Sequence, residues 1–167
     1  FIILILFGSC SKEVSKKDLI KEKSLELQVE EAYEEGIEAL NDGDVLFAAK
    51  KFNEAEILFP QAVSAPQSAL MAAYSYYTQD YYSDAIAELK RFLKVYPTHK
   101  DLGYVYYLLA ICYYEQIVDE KKDLQSIINA KENFNIILKN YPLFTICTMS
   151  SISKSKLKAM FVAFAIW

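Results

Sequence analysis

The chain has 167 residues, 53% of them hydrophobic and 14% aromatic, which suits one domain or a short repeat array and excludes a large multidomain enzyme. Four glycines and four prolines are too few for disorder, collagen or turn-rich strand architectures, so a packed, mainly helical protein is expected. A net charge of -4 without a basic stripe argues against nucleic acid as a partner.

The first element reads as an address. Phe1 to Phe7 are apolar, far fewer than the roughly 20 residues of a spanning helix, and fit the end of a signal-peptide apolar region whose charged start lies upstream. Residues 1–9 are therefore expected to be a partial lipoprotein signal peptide. Phe7-Gly8-Ser9-Cys10 resembles the bacterial lipobox, in which small side chains admit a peptidase and the thiol accepts the lipid. The resemblance implies a diacylglycerol and an N-acyl chain on Cys10, and together these hold a bilayer far better than the marginal grip of one chain. Ser11, where an Asp would favour retention at the inner membrane, implies the periplasmic face of the outer membrane. Residues 10–26, rich in Lys, Glu and Ser, are expected to form a tether.

From 27 to 142 apolar residues recur three and four apart, and short breaks carry Pro or Asp-Gly, which predicts helical hairpins. Three segments close alike: Leu58-Phe59-Pro60, Val95-Tyr96-Pro97 and Asn140-Tyr141-Pro142. Counted back from those prolines, a tetratricopeptide register emerges. Gly36, Ala39, Ala48, Phe52, Ala55 and Pro60 fill the first unit; Ala73, Tyr76, Ala85, Leu89, Phe92 and Pro97 the second; Ala110, Tyr113, Ala130, Phe134, Ile137 and Pro142 the third. Small residues let the two helices of a unit approach while an aromatic fills the gap opposite. The expected fold is all-α, a tetratricopeptide-type helical-hairpin solenoid of about three repeats, near the minimum for a stable stack. The third unit carries about eight extra residues between Gln116 and Ile128.

Catalytic chemistry has no sequence support. No phosphate-binding loop, zinc-protease helix or serine nucleophile elbow occurs. The one histidine, His99, sits in a Pro97-Thr98-His99 turn, and Cys112 lies in an apolar helix, while the three cysteines have no metal-ligand spacing. Glu34 and Glu35 read as a solvated helix face. The chain is thus expected to be no enzyme and to need no metal or cofactor beyond the lipid on Cys10.

In a tetratricopeptide stack the first helix of each hairpin faces a groove, and this register assigns that face to Tyr33, Ile37, Leu70, Tyr74, Tyr77, Tyr104, Tyr107, Ile111 and Tyr114. Tyr76, Tyr113, Phe52, Phe92 and Phe134 already serve the core. The remaining tyrosines suit a peptide with aromatic side chains of its own, because each offers apolar area and a hydroxyl at low entropic cost. Packing between neighbouring repeats is the alternative use for the same rings.

The blocks Tyr96-Pro97-Thr98-His99, Tyr104-Val105-Tyr106-Tyr107-Leu108 and Cys112-Tyr113-Tyr114-Glu115-Gln116-Ile117, with the lipobox, tether, repeat order and third-unit insert, resemble the BamD (ComL) family of the outer-membrane β-barrel assembly machinery. That resemblance spans Cys10 to Pro142. It implies a non-enzymatic periplasmic scaffold that docks on BamA, associates with other subunits of the machinery, and takes the C-terminal targeting peptides of unfolded outer-membrane proteins in its N-terminal repeats. The family has five repeats, and BamA docks largely through the later ones. Here the pattern is lost after Pro142, and residues 143–167 are expected to be an atypical tail, the product of a shifted frame or an incomplete gene. Other periplasmic tetratricopeptide lipoproteins of pilotin type, and fragments of cell-wall lytic enzymes, are the competing readings.

Overall fold

The computed structural model describes residues 24–117 and 124–142. Within them lie six helices and no strand: α1 (Leu25–Asp42), α2 (Val45–Leu58), α3 (Ala65–Thr78), α4 (Tyr82–Val95), α5 (Leu102–Glu115) and α6 (Leu124–Asn140). Each packs on its neighbours in sequence order. The result is three helical hairpins, α1/α2, α3/α4 and α5/α6, stacked as tetratricopeptide-like repeats. The expected signal segment and C-terminal tail, and Cys10 with most of the tether, lie outside the described residues. Helix α1 begins at Leu25, two residues inside the expected tether, because the Ser24 side chain accepts the Leu27 N–H at 3.4 Å.

Local chemistry explains the breaks between helices. Gly43 ends α1 at φ 83°, its N–H and that of Asp44 bonding back to Leu40 and Ala39 carbonyls. Asp44 Oδ1 then accepts the Phe47 N–H at 3.1 Å and starts α2. One Gly-Asp pair thus stops one helix and opens the next. At the repeat-equivalent position in the second unit, Asp80 takes the same left-handed conformation at φ 63°. It lacks glycine's freedom, and the Tyr82 hydroxyl donates to its Oδ1 at 2.6 Å, holding the turn by a side chain where the first unit uses a missing one. Between α5 and α6 the connection is longer, and α6 starts about one turn earlier relative to Ala130 than α4 does relative to Ala85; together these account for the extra residues of the third unit.

The small-against-large register is the packing rule. A Cβ on Gly36 would lie 2.8 Å from Phe52 Cε1, so the ring occupies space only glycine leaves. Ala48, Phe52, Ala85, Leu89, Phe92 and Ala130 are wholly buried, and Ala55, Ala73, Phe134 and Ile137 nearly so. Tyr113 is buried, but Tyr76, also expected in the core, is only half-buried. It sits at the seam between the first-unit cluster and the second, where a ring long enough to reach both cannot be covered by either. Cys112 is fully buried, and burial pushes its thiol up to about 12, which suits a core residue and not a nucleophile. His99 acts in its turn: Nδ1 accepts the Asp101 N–H at 3.3 Å and the ring meets Phe92 edge-on at 5.7 Å.

Candidate functional site: a tyrosine face on the first helices

Residues 33 and 37 of α1, 70, 74 and 77 of α3, and 104, 107, 111 and 114 of α5 follow the three-and-four spacing that puts side chains on one helix face. All nine candidate residues are half-buried. None is sealed in the core and none stands free in solvent, a state that leaves part of each side chain for contact while its base is fixed by packing.

The nine do not form one set. Tyr33 meets Phe52 edge-on at 5.2 Å, and Ile37 joins it on the first-unit cluster of Ala39, Ala48, Phe52 and Ala72. Tyr74 and Tyr77 of α3 are 6.3 Å apart, as are Tyr104 and Tyr107 of α5. Leu70, Tyr74, Tyr77 and Tyr104 lean on the cluster built around Leu89, Phe92, Val105 and Leu108. Tyr107 and Ile111 rest on Ala110, Phe134 and Ile137, with Tyr114 shared between those two clusters. The face thus has a small α1 part and a larger α3/α5 part. Tyr82 from α4, absent from the sequence-based set, extends the larger part through a 6.3 Å contact with Tyr77. Tyr106 is also absent from it. This residue lies one position off the α5 stripe and pairs with Tyr141 at 6.0 Å.

Three phenols at the α3/α5 part are raised above their ordinary value. Burial, then the neighbouring Tyr74, Tyr107 and Tyr77 rings, pushes the Tyr104 phenol up to about 12. Burial and Tyr77 raise Tyr107, and the hydrogen bond to Asp80 raises Tyr82. Because the folded-state value of Tyr104 lies above the unfolded value near 10, its contribution to stability is fully present below pH 10 and is lost as pH rises towards 12. Alkaline titration at 295 nm should therefore show a late-ionising tyrosine class in the folded chain, shrunk by Tyr104→Phe; a single ionisation near pH 10 would contradict the burial of these rings.

A second cluster escaped the sequence. Glu56 of α2, 5% exposed, accepts from Arg91 Nη1 at 2.9 Å and Nη2 at 2.6 Å, and from the Tyr96 hydroxyl at 2.7 Å. Arg91 Nε also donates to Glu88 at 2.8 Å and Nη2 to Asn53 Oδ1 at 3.1 Å. Burial, then the Glu56 bond, pushes the Tyr96 phenol up to about 12. The available signal was a glutamate at the four-residue spacing from Phe52, inside the apolar stripe of α2. By contrast Glu34 and Glu35 are exposed, as expected of a solvated face, and Glu35 pairs with Lys51 at 2.8 Å.

An open cleft of about 490 Å³ runs along α6 and is lined by Ile128, Lys131, Glu132, Asn135, Ile136, Lys139 and Asn140. It is separate from the tyrosines. Among the described residues no group of three or more His, Cys, Asp or Glu is placed to hold a metal, and no helix is long and apolar enough to cross a membrane.

Comparison with known proteins adds the family. The sequence model of YfiO, described as an outer membrane lipoprotein, matches residues 25–145. A relative from Caulobacter vibrioides named outer membrane protein assembly factor BamD is 33% identical over 135 residues, covering 81% of this chain and 43% of the relative. The protein of the same name from Rickettsia prowazekii is 28% identical, covering 84% and 54%, and that from Neisseria gonorrhoeae 33% identical, covering 53% and 33%. The chain spans about half the length, or less, of these curated relatives.

Proposed function

We propose, from the premise that the chain belongs to the YfiO family of outer membrane lipoproteins, that it is a non-enzymatic scaffold for outer-membrane protein assembly whose tyrosine face receives the C-terminal targeting peptides of unfolded outer-membrane proteins. The relatives bear the name of an assembly factor, which favours this reading over a pilotin or a lytic enzyme. The observation that carries it is the half-burial of Tyr74, Tyr77, Tyr104 and Tyr107 across two adjacent hairpins. Ring faces held by packing and still partly accessible suit an extended peptide ending in an aromatic residue.

Lipid on Cys10 would anchor the scaffold at the periplasmic face of the outer membrane, with the tether of residues 10–26 setting its distance from the bilayer. From there the bound peptide is handed to BamA, other subunits of the machinery attaching to the same scaffold. In the family, docking on BamA draws largely on a fourth and a fifth repeat, so this chain with those two repeats added should co-purify with BamA from mild detergent. Recovery with a pilus secretin instead would reject the assignment.

The direct test is the double substitution Tyr74→Ala, Tyr107→Ala. Affinity for a synthetic peptide ending in Phe should fall by about 1–3 kcal/mol, the loss typical of aromatic anchors, with the helical circular dichroism unchanged. Equal affinity in the intact fold would remove the face as the peptide seat.

A further inference from the structure

The polar cluster between α2 and α4 stands where an apolar seam would serve equally well for stability. A buried ion pair seldom adds net stability over apolar residues of the same volume. It does add geometry. A bidentate guanidinium–carboxylate contact is met at one separation and one orientation, whereas an apolar seam lets helices slide. Every buried polar side-chain atom among the described residues has its partner, so the cluster is fully satisfied and correspondingly stiff.

The contacts behind it lead to the tyrosine face from both sides. One turn before Glu56, Phe52 backs Tyr33. Next to Arg91, Phe92 belongs to the cluster that supports Tyr74, Tyr77 and Tyr104, and the Tyr96 ring lies 5.1 Å from Phe92 while its hydroxyl reaches Glu56. The clasp therefore joins α2 and α4, the helices packed behind the α1 part and the α3/α5 part of the face.

We infer that Glu56, Arg91 and Tyr96 are positioning residues that set the spacing between Tyr33 and the Tyr74/Tyr104 group, and so the length and register of peptide that can lie across both. This rests on the peptide-binding reading given above. The clasp touches no peptide itself. Peptides that engage only the α3/α5 part are indifferent to it, and peptides that reach α1 depend on it.

The experiment uses the full chain with Cys10→Ser and Cys147→Ser, spin-labelled through Glu34→Cys on α1 and Gln67→Cys on α3, both exposed positions; Cys112 is buried and stays. In the double variant Glu56→Met, Arg91→Met, apolar replacement keeps the melting temperature near that of the parent. The label-to-label distance distribution broadens. Affinity for a peptide of about ten residues with alternating aromatics, roughly 33 Å when extended, falls about tenfold, while a peptide of about four residues ending in Phe binds as before. Arg91→Lys, which keeps the charge and loses the fork, moves both readouts the same way by less. An unchanged distribution with unchanged peptide-length preference overturns the clasp. A broadened distribution in a chain that binds neither peptide supports the clasp as a spacer and overturns the tyrosine face as a peptide seat.

Discussion

Phe52→Ala is expected to lower the stability of the folded chain by about 3–5 kcal/mol, the range for deleting a fully buried aromatic ring. The ring is wholly buried and its neighbours cannot close over the gap. Gly36 has no side chain to offer, and the alanines at 39, 48 and 72 lie on helices whose backbones are held by their own hydrogen bonds. Tyr33, in edge contact with the ring, is the one large group able to tip inwards, and doing so would withdraw it from the face. In a three-unit stack the loss also weakens the coupling of α1/α2 to α3. Urea unfolding followed by circular dichroism measures it; a loss under 1 kcal/mol would mean that the ring does not organise the first unit. Gly36→Ala approaches the same contact from the other side. Its new Cβ would press on Phe52 Cε1 at 2.8 Å, an overpacking that costs about 1–3 kcal/mol, offset in part by the helix-propensity gain of about 1 kcal/mol. Combined with Phe52→Leu the two effects should be less than additive, because the smaller side chain makes room for the methyl.

The second large effect is an asymmetry in the clasp. Arg91→Ala leaves the Glu56 side chain, 6% exposed, with the Tyr96 hydroxyl and no cation, and is expected to cost about 3 kcal/mol or more. Glu56→Ala should cost less. The Arg91 side chain is 38% exposed, keeps Glu88 as a partner and can reach water, so its charge is not stranded. Thermal melts of the two variants decide between this ordering and a simple loss of one shared contact, which would make them equal. Reversed order would mean that the carboxylate finds solvent when its partner goes, contrary to its burial.

Much of this molecule is legible along the chain because its determinants are local. Helices follow from apolar spacing, hairpins from the closing prolines and the Asp42-Gly43 break, and the nesting of paired helices from Gly36 opposite Phe52 and Ala73 and Ala85 with Phe92. The stripe of tyrosines on α3 and α5 is likewise a matter of spacing within one helix. Other features depend on residues that meet only after the hairpins stack. Asp80 in the left-handed role of Gly43 is supported by the Tyr82 hydroxyl. Tyr76 stays half-exposed because its position falls on a seam between units. Tyr82 joins the tyrosine face from a second helix of a hairpin, where the register looks for none. Glu56 falls inside the buried stripe of α2, but the counter-charge that makes this tolerable, Arg91, stands 35 residues on. Periodicity determines which side of a helix is buried; what it is buried against, and whether a charge there finds its counter-charge, is decided by long-range packing that no local pattern encodes.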